Sequence, residues 1–386
     1  MMTRPIALYV HWPFCRSKCA YCAFNSVVRV LSRTQESAWV QAFLSSFDWH
    51  IQHILEGHTA SYRPISLFFG GGTPSLLQPE SLQQLISHMC ALWSCQAESL
   101  EITLEANPET LTEERLQAFS QAGVNRLSLG IQALHPQDLA MLGRRHSLEQ
   151  ALQAVAWARN HIPNYNLDFI YHRPRQSLRA WRQELQHILA LDAPHLSLYE
   201  LTWEPGTPFA LHQKELPATA AFFNLTHRVM QEAGYTAYEI SNFCTPAHFC
   251  RHNLAYWRYQ EYLGIGPGAH SRVEREGQRW ALAAFAHGSA WRTSVARGTG
   301  GLATQSLLSP REQLIEHLCM GLRLEEGLCW DQLEHSAGPT EVAMLRHSPY
   351  LQKLQTLGVL LVTQQGARVS QENRAKVDGV LRYLDL

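Results

Sequence analysis

Tyr9-Val10-His11-Trp12-Pro13-Phe14-Cys15-Arg16-Ser17-Lys18-Cys19-Ala20-Tyr21-Cys22 joins a strand-like apolar run to three cysteines spaced CxxxCxxC. Cuboidal iron–sulfur clusters normally take four thiolates. Three from one short loop can hold three irons and leave the fourth open to a chelating ligand. A zinc site would want a fourth Cys or His nearby; His11 could be proposed, but its spacing is not that of a zinc hairpin. The spacing therefore favours a [4Fe–4S] cluster on Cys15, Cys19 and Cys22.

Working outward, apolar runs of strand length recur at Ile6–His11, Ile65–Gly70, Leu100–Glu105, Arg126–Ile131, Tyr165–Tyr171 and His195–Leu201. Segments with helical spacing lie between them: Thr34–Leu55, Pro79–Leu92, Thr112–Ala122, Ser147–Asn160 and Leu178–Leu191. Such alternation implies an α/β fold with parallel strands, here a partial (β/α) TIM-like barrel, whose chemistry sits at the carboxyl ends of the strands. Tyr235–Ile240 could add a strand, and Arg297–Gly301 reads as a linker. Beyond it, Ser309-Pro310 with Glu312 forms the start signal of a helix reaching Gly321. A hairpin-like pair follows at Val359–Thr363 and Ala367–Ser370. The expected division is a core over residues 1–300 and a mostly helical, winged-helix-like domain over 301–386.

A chain of 386 residues buries about three-quarters of its unfolded surface and needs no disulfide staples. Its formal net charge of −1 gives no reason to expect a nucleic-acid partner. No basic region with an apolar core precedes the first strand, and no run approaches the ~20 apolar residues of a membrane span. Nine cysteines, an odd number, without a secretion signal favour metal binding over disulfides and a cytoplasmic location.

With Tyr21 just before its last cysteine, the loop resembles the signature of the radical-SAM superfamily. Tyr9–Phe14 ahead of it is similar to the coproporphyrinogen-oxidase-like branch. Gly70-Gly71-Gly72-Thr73-Pro74 could by itself be a tight strand-to-helix turn; placed after the second strand, it resembles the motif that contacts the methionyl amino group of S-adenosylmethionine (SAM). The resemblance implies SAM contacts at Tyr9, Gly71, Gly72, Thr73, Glu105, Gln132, Arg144 and Asp168. The two cofactors would together supply a 5′-deoxyadenosyl radical, the protein supplying geometry and dryness.

Three features bear on the branch. Ala23-Phe24 follows Cys22 where coproporphyrinogen oxidases of this type carry a further cysteine, and the chain starts only a few residues before its first strand, without their amino-terminal extension. His252-Asn253-Leu254-Ala255-Tyr256-Trp257 resembles the HNxxYW pattern of the HemW family of haem chaperones. Tyr262–Ser271 and Gly321–Leu324 are similar to further HemW segments. This resemblance implies a third cofactor, haem, with His252 as its axial ligand, acceptor haemoproteins as partners, and a reducing donor such as a flavodoxin. The alternative is an enzyme acting on a porphyrinogen; haem transfer needs no turnover of SAM, so catalysis is left open. One departure stands out: the family's Tyr-Gly-x-Pro-Gly-Gln is here Tyr171-His172-Arg173-Pro174-Arg175-Gln176. If those two positions need positive φ, His172 and Arg175 force the loop to be rebuilt, at a cost of about 1 kcal/mol or more.

Overall fold

The computed structural model describes residues 3–209 and 219–384. Six strands alternate with helices: β1 (Arg4–Trp12), α1 (Arg33–His53), β2 (Tyr62–Gly71), α2 (Pro79–Trp93), β3 (Glu101–Ala106), α3 (Glu113–Gln121), β4 (Arg126–Gln132), α4 (Pro136–Met141), α5 (Leu148–His161), β5 (Tyr165–Tyr171), α6 (Leu178–Leu189) and β6 (His195–Glu200). Each except the short α4, which was not expected, matches an expected run to within about three residues. The apolar periodicity fixes their centres, and capping fixes several ends: Ser32 with Gln35 opens α1, and Ser147 with Gln150 opens α5.

After α7 (Thr219–Glu232), β7 (Thr236–Ala237) and β8 (Asn242–Cys244), the short α8 (Arg251–Trp257) leads to β9 (Glu261–Ile265), β10 (His270–Arg275), β11 (Gln278–Ala284), α9 (Gly288–Ala296) and β12 (Leu302–Leu307). The sheet runs β12-β11-β10-β9-β1-β2-β3-β4-β5-β6-β8-β7. Strands β9 and β1 to β6 are parallel neighbours; the outer strands are antiparallel. Its two edge strands, β12 and β7, do not pair with each other, so the barrel is partial.

The helix-facing sides of the strands are apolar. Leu8, Val10, Leu67, Phe69, Leu104, Leu129, Leu167 and Leu198 are buried against Phe43, Leu85, Phe119, Val155 and Leu185. The opposite sides carry Thr103, Glu105, Arg126, Ser128, Asn166, Asp168, His195 and Ser197, because successive side chains alternate across a strand. A TIM barrel fills its interior with branched apolar residues. Here the interior is a hydrogen-bonded polar chamber: Asn166 joins Ser128 (2.7 Å), Asp168 (2.8 Å) and His195 (2.7 Å). That is the layout of a site, not of a packed core.

Two expectations need correction. Only Thr236–Ala237 of the Tyr235–Ile240 run pairs as strand, since Glu239 turns inward to accept from Ser241 N (2.8 Å) and Asn242 Nδ2 (2.6 Å). Residues 297–301 are no loose linker. Gly300 and Gly301 are pressed against the rings of Trp49 and Trp291, turning α9 directly into β12, so the large sheet runs on to Leu307. The helix from Ser309 stands as expected: Ser309 caps α10 (Pro310–Gly321) through a reciprocal box with Glu312. It opens a second apolar core that includes Leu314, Leu318, Trp330, Leu333 and Val342. Short helices and a three-stranded sheet complete that unit: β13 (Leu328–Cys329), β14 (Leu360–Val362) and β15 (Gly366–Val369).

Candidate functional site

The cysteine loop leaves the carboxyl end of β1. Phe14–Cys15 forms a two-residue ladder with Val27–Val28, so the loop returns beside its own start. Cys15 is buried, Cys19 and Cys22 half-buried, and all three thiols are free. Burial pushes the Cys15 thiol up, opposed by hydrogen bonds from the Thr73 and Ser26 side chains. The glycine run holds this loop on β2. Gly71 adopts φ +108°, and a β-carbon there would sit 2.6–2.8 Å from the His11 ring; at Gly72 it would meet the carbonyls of Phe14 (2.7 Å) and Trp12 (2.9 Å). Gly72 N donates to Trp12 O (2.6 Å) and Thr73 N to Phe14 O (2.9 Å). Close backbone approach explains the glycines before any ligand is considered.

His11 is no metal ligand. Its Nε2 donates to the Asn25 carbonyl (2.8 Å), which leaves Nδ1 to accept from Tyr9 OH (2.9 Å). Asn25 Nδ2 in turn donates to Pro267 O and Ala286 O, both at 2.9 Å. This chain ties the chamber wall at Tyr9 to the far end of the cysteine loop. Among the described residues no three His, Cys, Asp or Glu side chains converge tightly enough to hold one metal ion. The donor set at the loop, three soft cysteine sulfurs and no imidazole, suits a thiolate-bound cluster.

Glu105, Gln132, Asp168 and Arg144 meet at the same carboxyl-end mouth. Glu105 Oε2 accepts from Gly71 N (3.1 Å). Burial, then the nearby Asp168 carboxylate, push its pKa up to about 8, against the pull of that backbone bond. Burial also raises Asp168, while Asn166, Ser128 and Ser197 counter it. Gln132 sits at φ +72° beside a break in the β4–β5 register. A non-glycine in that region stores strain of about 1–3 kcal/mol, which persists only where the surroundings impose it. Arg144 spans the site: Nη1 lies 3.5 Å from Cys19 Sγ, and Nη2 donates to Asn107 Oδ1 (2.6 Å) and to the Gly130 carbonyl. Burial opposes its charge, but Tyr21, Cys19 and Glu109 more than offset that and raise its pKa. Asn107 closes the circuit by donating to Thr73 Oγ1 (3.3 Å). Sequence reading passed over Asn107 and Asn25; the signal for the former was an Asn-Pro directly after a strand end.

His252 lies elsewhere, on the chamber floor. Helix α8 packs against β1, β2 and β9, its first amides donating to Glu101: Arg251 N at 2.9 Å and His252 N at 3.1 Å. The Cys250 thiol points to the same carboxylate, and His248 to Thr245, so these residues do not form a zinc cage. His252 is 3% exposed, stacks on Phe68 (4.7 Å between centroids) and meets Tyr256 edge-on (5.0 Å). Its Nδ1 pairs with Ser66 Oγ (2.8 Å), whereas its buried Nε2 has no partner among the described residues. Burial, aided by Arg126, holds its pKa down at about 3, so the ring is neutral; Nε2 offers a lone pair in the tautomer in which Nδ1 donates to Ser66 Oγ.

The departing loop after β5 adopts left-handed backbone at two positions without glycine. His172 sits at φ +58° and Arg175 at +67°. His172 is held by Glu200 Oε1 (2.6 Å) and by stacking on Phe222 (4.6 Å). Arg173 between them is buried and pairs with Glu184 and Asp138. Strain at His172 is offset by packing; exposed Arg175 has no such return.

Comparison with known proteins agrees with this geometry. A model of the radical SAM superfamily matches residues 9–188, and one of the HemN C-terminal domain matches residues 308–375. The mitochondrial radical S-adenosyl methionine domain-containing protein 1 of Bos taurus is 36% identical, over 98% of this chain and 87% of its own. The heme chaperone HemW of Synechocystis is 34% identical over 88% and 83%. Coproporphyrinogen III oxidase (HemN) of Escherichia coli superposes with a TM-score of 0.79 over 99% of this chain and 90% of that one, at 20% identity, a likeness of fold. On this agreement of sequence and architecture, the chain belongs to the radical SAM superfamily and, within it, to the HemW family.

Proposed function

We propose that the chain is a haem chaperone that binds a [4Fe–4S] cluster, SAM and haem and passes haem to acceptor haemoproteins. Membership of the superfamily implies the first two cofactors. Cys15, Cys19 and Cys22 would hold the cluster. Glu105 would receive the SAM ammonium, with Tyr9, Gly71, Gly72, Thr73, Gln132 and Asp168 lining the same mouth. Bound together, cluster and SAM supply one-electron cleavage of a carbon–sulfur bond. The protein's own part is positional. Arg144 sets positive charge against the Cys19 sulfur while gripping Asn107 and the β4 backbone. The Tyr9–His11–Asn25 relay fixes the loop against the chamber wall.

The observation that carries the haem assignment is the orphaned Nε2 of His252. A buried neutral imidazole nitrogen without a partner costs about 1–3 kcal/mol, and an iron bond would remove that cost. Because Phe68 and Tyr256 enclose the ring and His252 is 3% exposed, haem would reach it only after the packing around α8 opens. Haem titration of the wild type and His252→Ala, read at the Soret band, tests this; identical spectra would remove His252 as the ligand. We place its work in the cytoplasm and favour a flavodoxin as the donor; no helix among the described residues is long and apolar enough to cross a membrane.

The intact mouth around Glu105 and Asp168 favours a second reading, radical chemistry on a porphyrinogen. Against it, Phe24 stands in place of the oxidases' extra cysteine and projects into solvent, 63% exposed. Anaerobic incubation with coproporphyrinogen, SAM and reductant decides: vinyl product with 5′-deoxyadenosine would replace the chaperone reading with the enzymatic one.

A further inference from the structure

Four large apolar side chains stand open beside the cysteine loop. Phe24, Val27, Val28 and Val30 are each 51–71% exposed, within seven positions of one another. Scattered single apolar residues on a surface need no explanation, but a contiguous group does. Val27 and Val28 form the outer strand of the ladder whose inner strand is Phe14–Cys15, and Val28 stands directly opposite Cys15. The outer face of that ladder is therefore one strand spacing, about 4.8 Å, from a cysteine proposed to ligate the cluster.

The charges on the segment that carries this patch have one sign. Residues 1–35 hold Arg4, Arg16, Lys18, Arg29 and Arg33 and no carboxylate, in a chain whose net charge is −1. Arg16, Lys18, Arg29 and Arg33 are all exposed. The first acidic side chain, Glu36, is buried and spent on Gln78 N (2.8 Å) and Ser81 Oγ (2.6 Å). Arg16, Arg29 and Val30 also line a cavity of about 300 Å³ reaching inward to Trp12 and Phe14, where Glu36, Glu109 and Arg115 join the lining. Exposed apolar side chains with exposed cations among them, beside the cysteine loop, are the complement of an acidic protein surface.

We infer that Phe24, Val27, Val28 and Val30, together with Arg16, Lys18, Arg29 and Arg33, form the docking face for an acidic one-electron donor protein. The inference rests on the cluster reading above and adds where the electron enters. One electron leaves the donor's reduced flavin, which becomes the semiquinone, and the cluster goes from its 2+ to its 1+ state; no bond is made or broken. A membrane surface fits less well, because the apolar group lies on a two-residue ladder beside the cysteines and no amphipathic helix presents it.

The test uses reduced flavodoxin as the acidic probe and the full chain, both with and without reconstituted cluster. Binding to either form weakens at least tenfold in Arg29→Glu/Arg33→Glu and in Val28→Asp, and falls similarly between 50 and 500 mM salt. Cluster reduction by flavodoxin slows in step, while reduction by dithionite, too small to need a dock, is unchanged. Flavodoxin binding that ignores both variants and salt overturns the inference, as does Val28-dependent sedimentation with phosphatidylglycerol vesicles in place of flavodoxin binding. If the wild type yields no dithionite-reducible cluster yet still binds flavodoxin in an Arg29-dependent way, the cluster reading fails and the docking face stands.

Discussion

Glu105→Gln should remove a pH dependence that the wild type carries. In the folded chain, burial and Asp168 raise the Glu105 pKa from an ordinary 4.5 to about 8. Between those values the folded state holds a proton that the unfolded state has released, so stability falls as pH rises through this window and levels off above it. Between pH 5 and pH 7 the loss attributable to this one carboxyl is roughly 2.5 kcal/mol, from 1.36 kcal/mol per pKa unit applied to both states. Glutamine is a near-isostere that still offers an oxygen to Gly71 N and cannot ionise. Urea titrations of cluster-free wild type and variant at pH 5, 6 and 7 measure the effect. The stability of the variant relative to the wild type should climb by about that amount across the series, other titrations cancelling in the difference. A flat difference would mean that Glu105 is ionised in the empty mouth, and would refute the account of a carboxyl held protonated until a cation arrives.

The same proton governs ligand binding: if an ammonium must displace it, calorimetric SAM affinity should rise about 50-fold from pH 6 to pH 8 in the wild type and stay level in Glu105→Gln. Arg175→Gly should stabilise the chain by about 1 kcal/mol by relieving a strained, exposed position, while His172→Gly should cost about 1–3 kcal/mol through the lost Glu200 bond and Phe222 stack; equal signs in urea titrations would contradict that division. Arg173→Met should cost about 3–5 kcal/mol by stranding Glu184, and most of that should return in Arg173→Met/Glu184→Leu, measured the same way. Gly71→Ala should abolish iron and sulfide retention, because its β-carbon collides with the His11 ring. Gly57→Ala, with φ +73° and open space around it, should cost only about 1 kcal/mol and keep the iron, as elemental analysis would record.

Much of this molecule was open to reading from its residues one after another. Strand and helix centres followed from periodicity, because a buried stripe of period two or 3.6 leaves a local trace. So did the Ser309 cap, whose two partners lie three residues apart. The cysteine loop was legible for the same reason: all three thiols sit within eight positions. The departing loop could be marked as a place of strain, but the rebuilding expected there does not occur: His172 and Arg175 adopt positive φ themselves.

What escaped were relations among residues far apart in the chain. Asn107 matters because Arg144 and Thr73 reach it from two other loops, and no spacing encodes that. A run of glycines announces close approach but not what approaches; that it is His11, Trp12 and Phe14 follows only from β1 and β2 lying side by side. His252 could be marked as a candidate ligand, yet its place on the chamber floor, locked by Glu101 some 150 residues away, required the fold. The sequence by itself determined which elements form and which chemical groups are supplied, since both depend on neighbours within a few residues. The tertiary structure alone decided which groups meet, which are sealed from water and hence how they ionise, because burial and Coulomb interaction depend on distance through space.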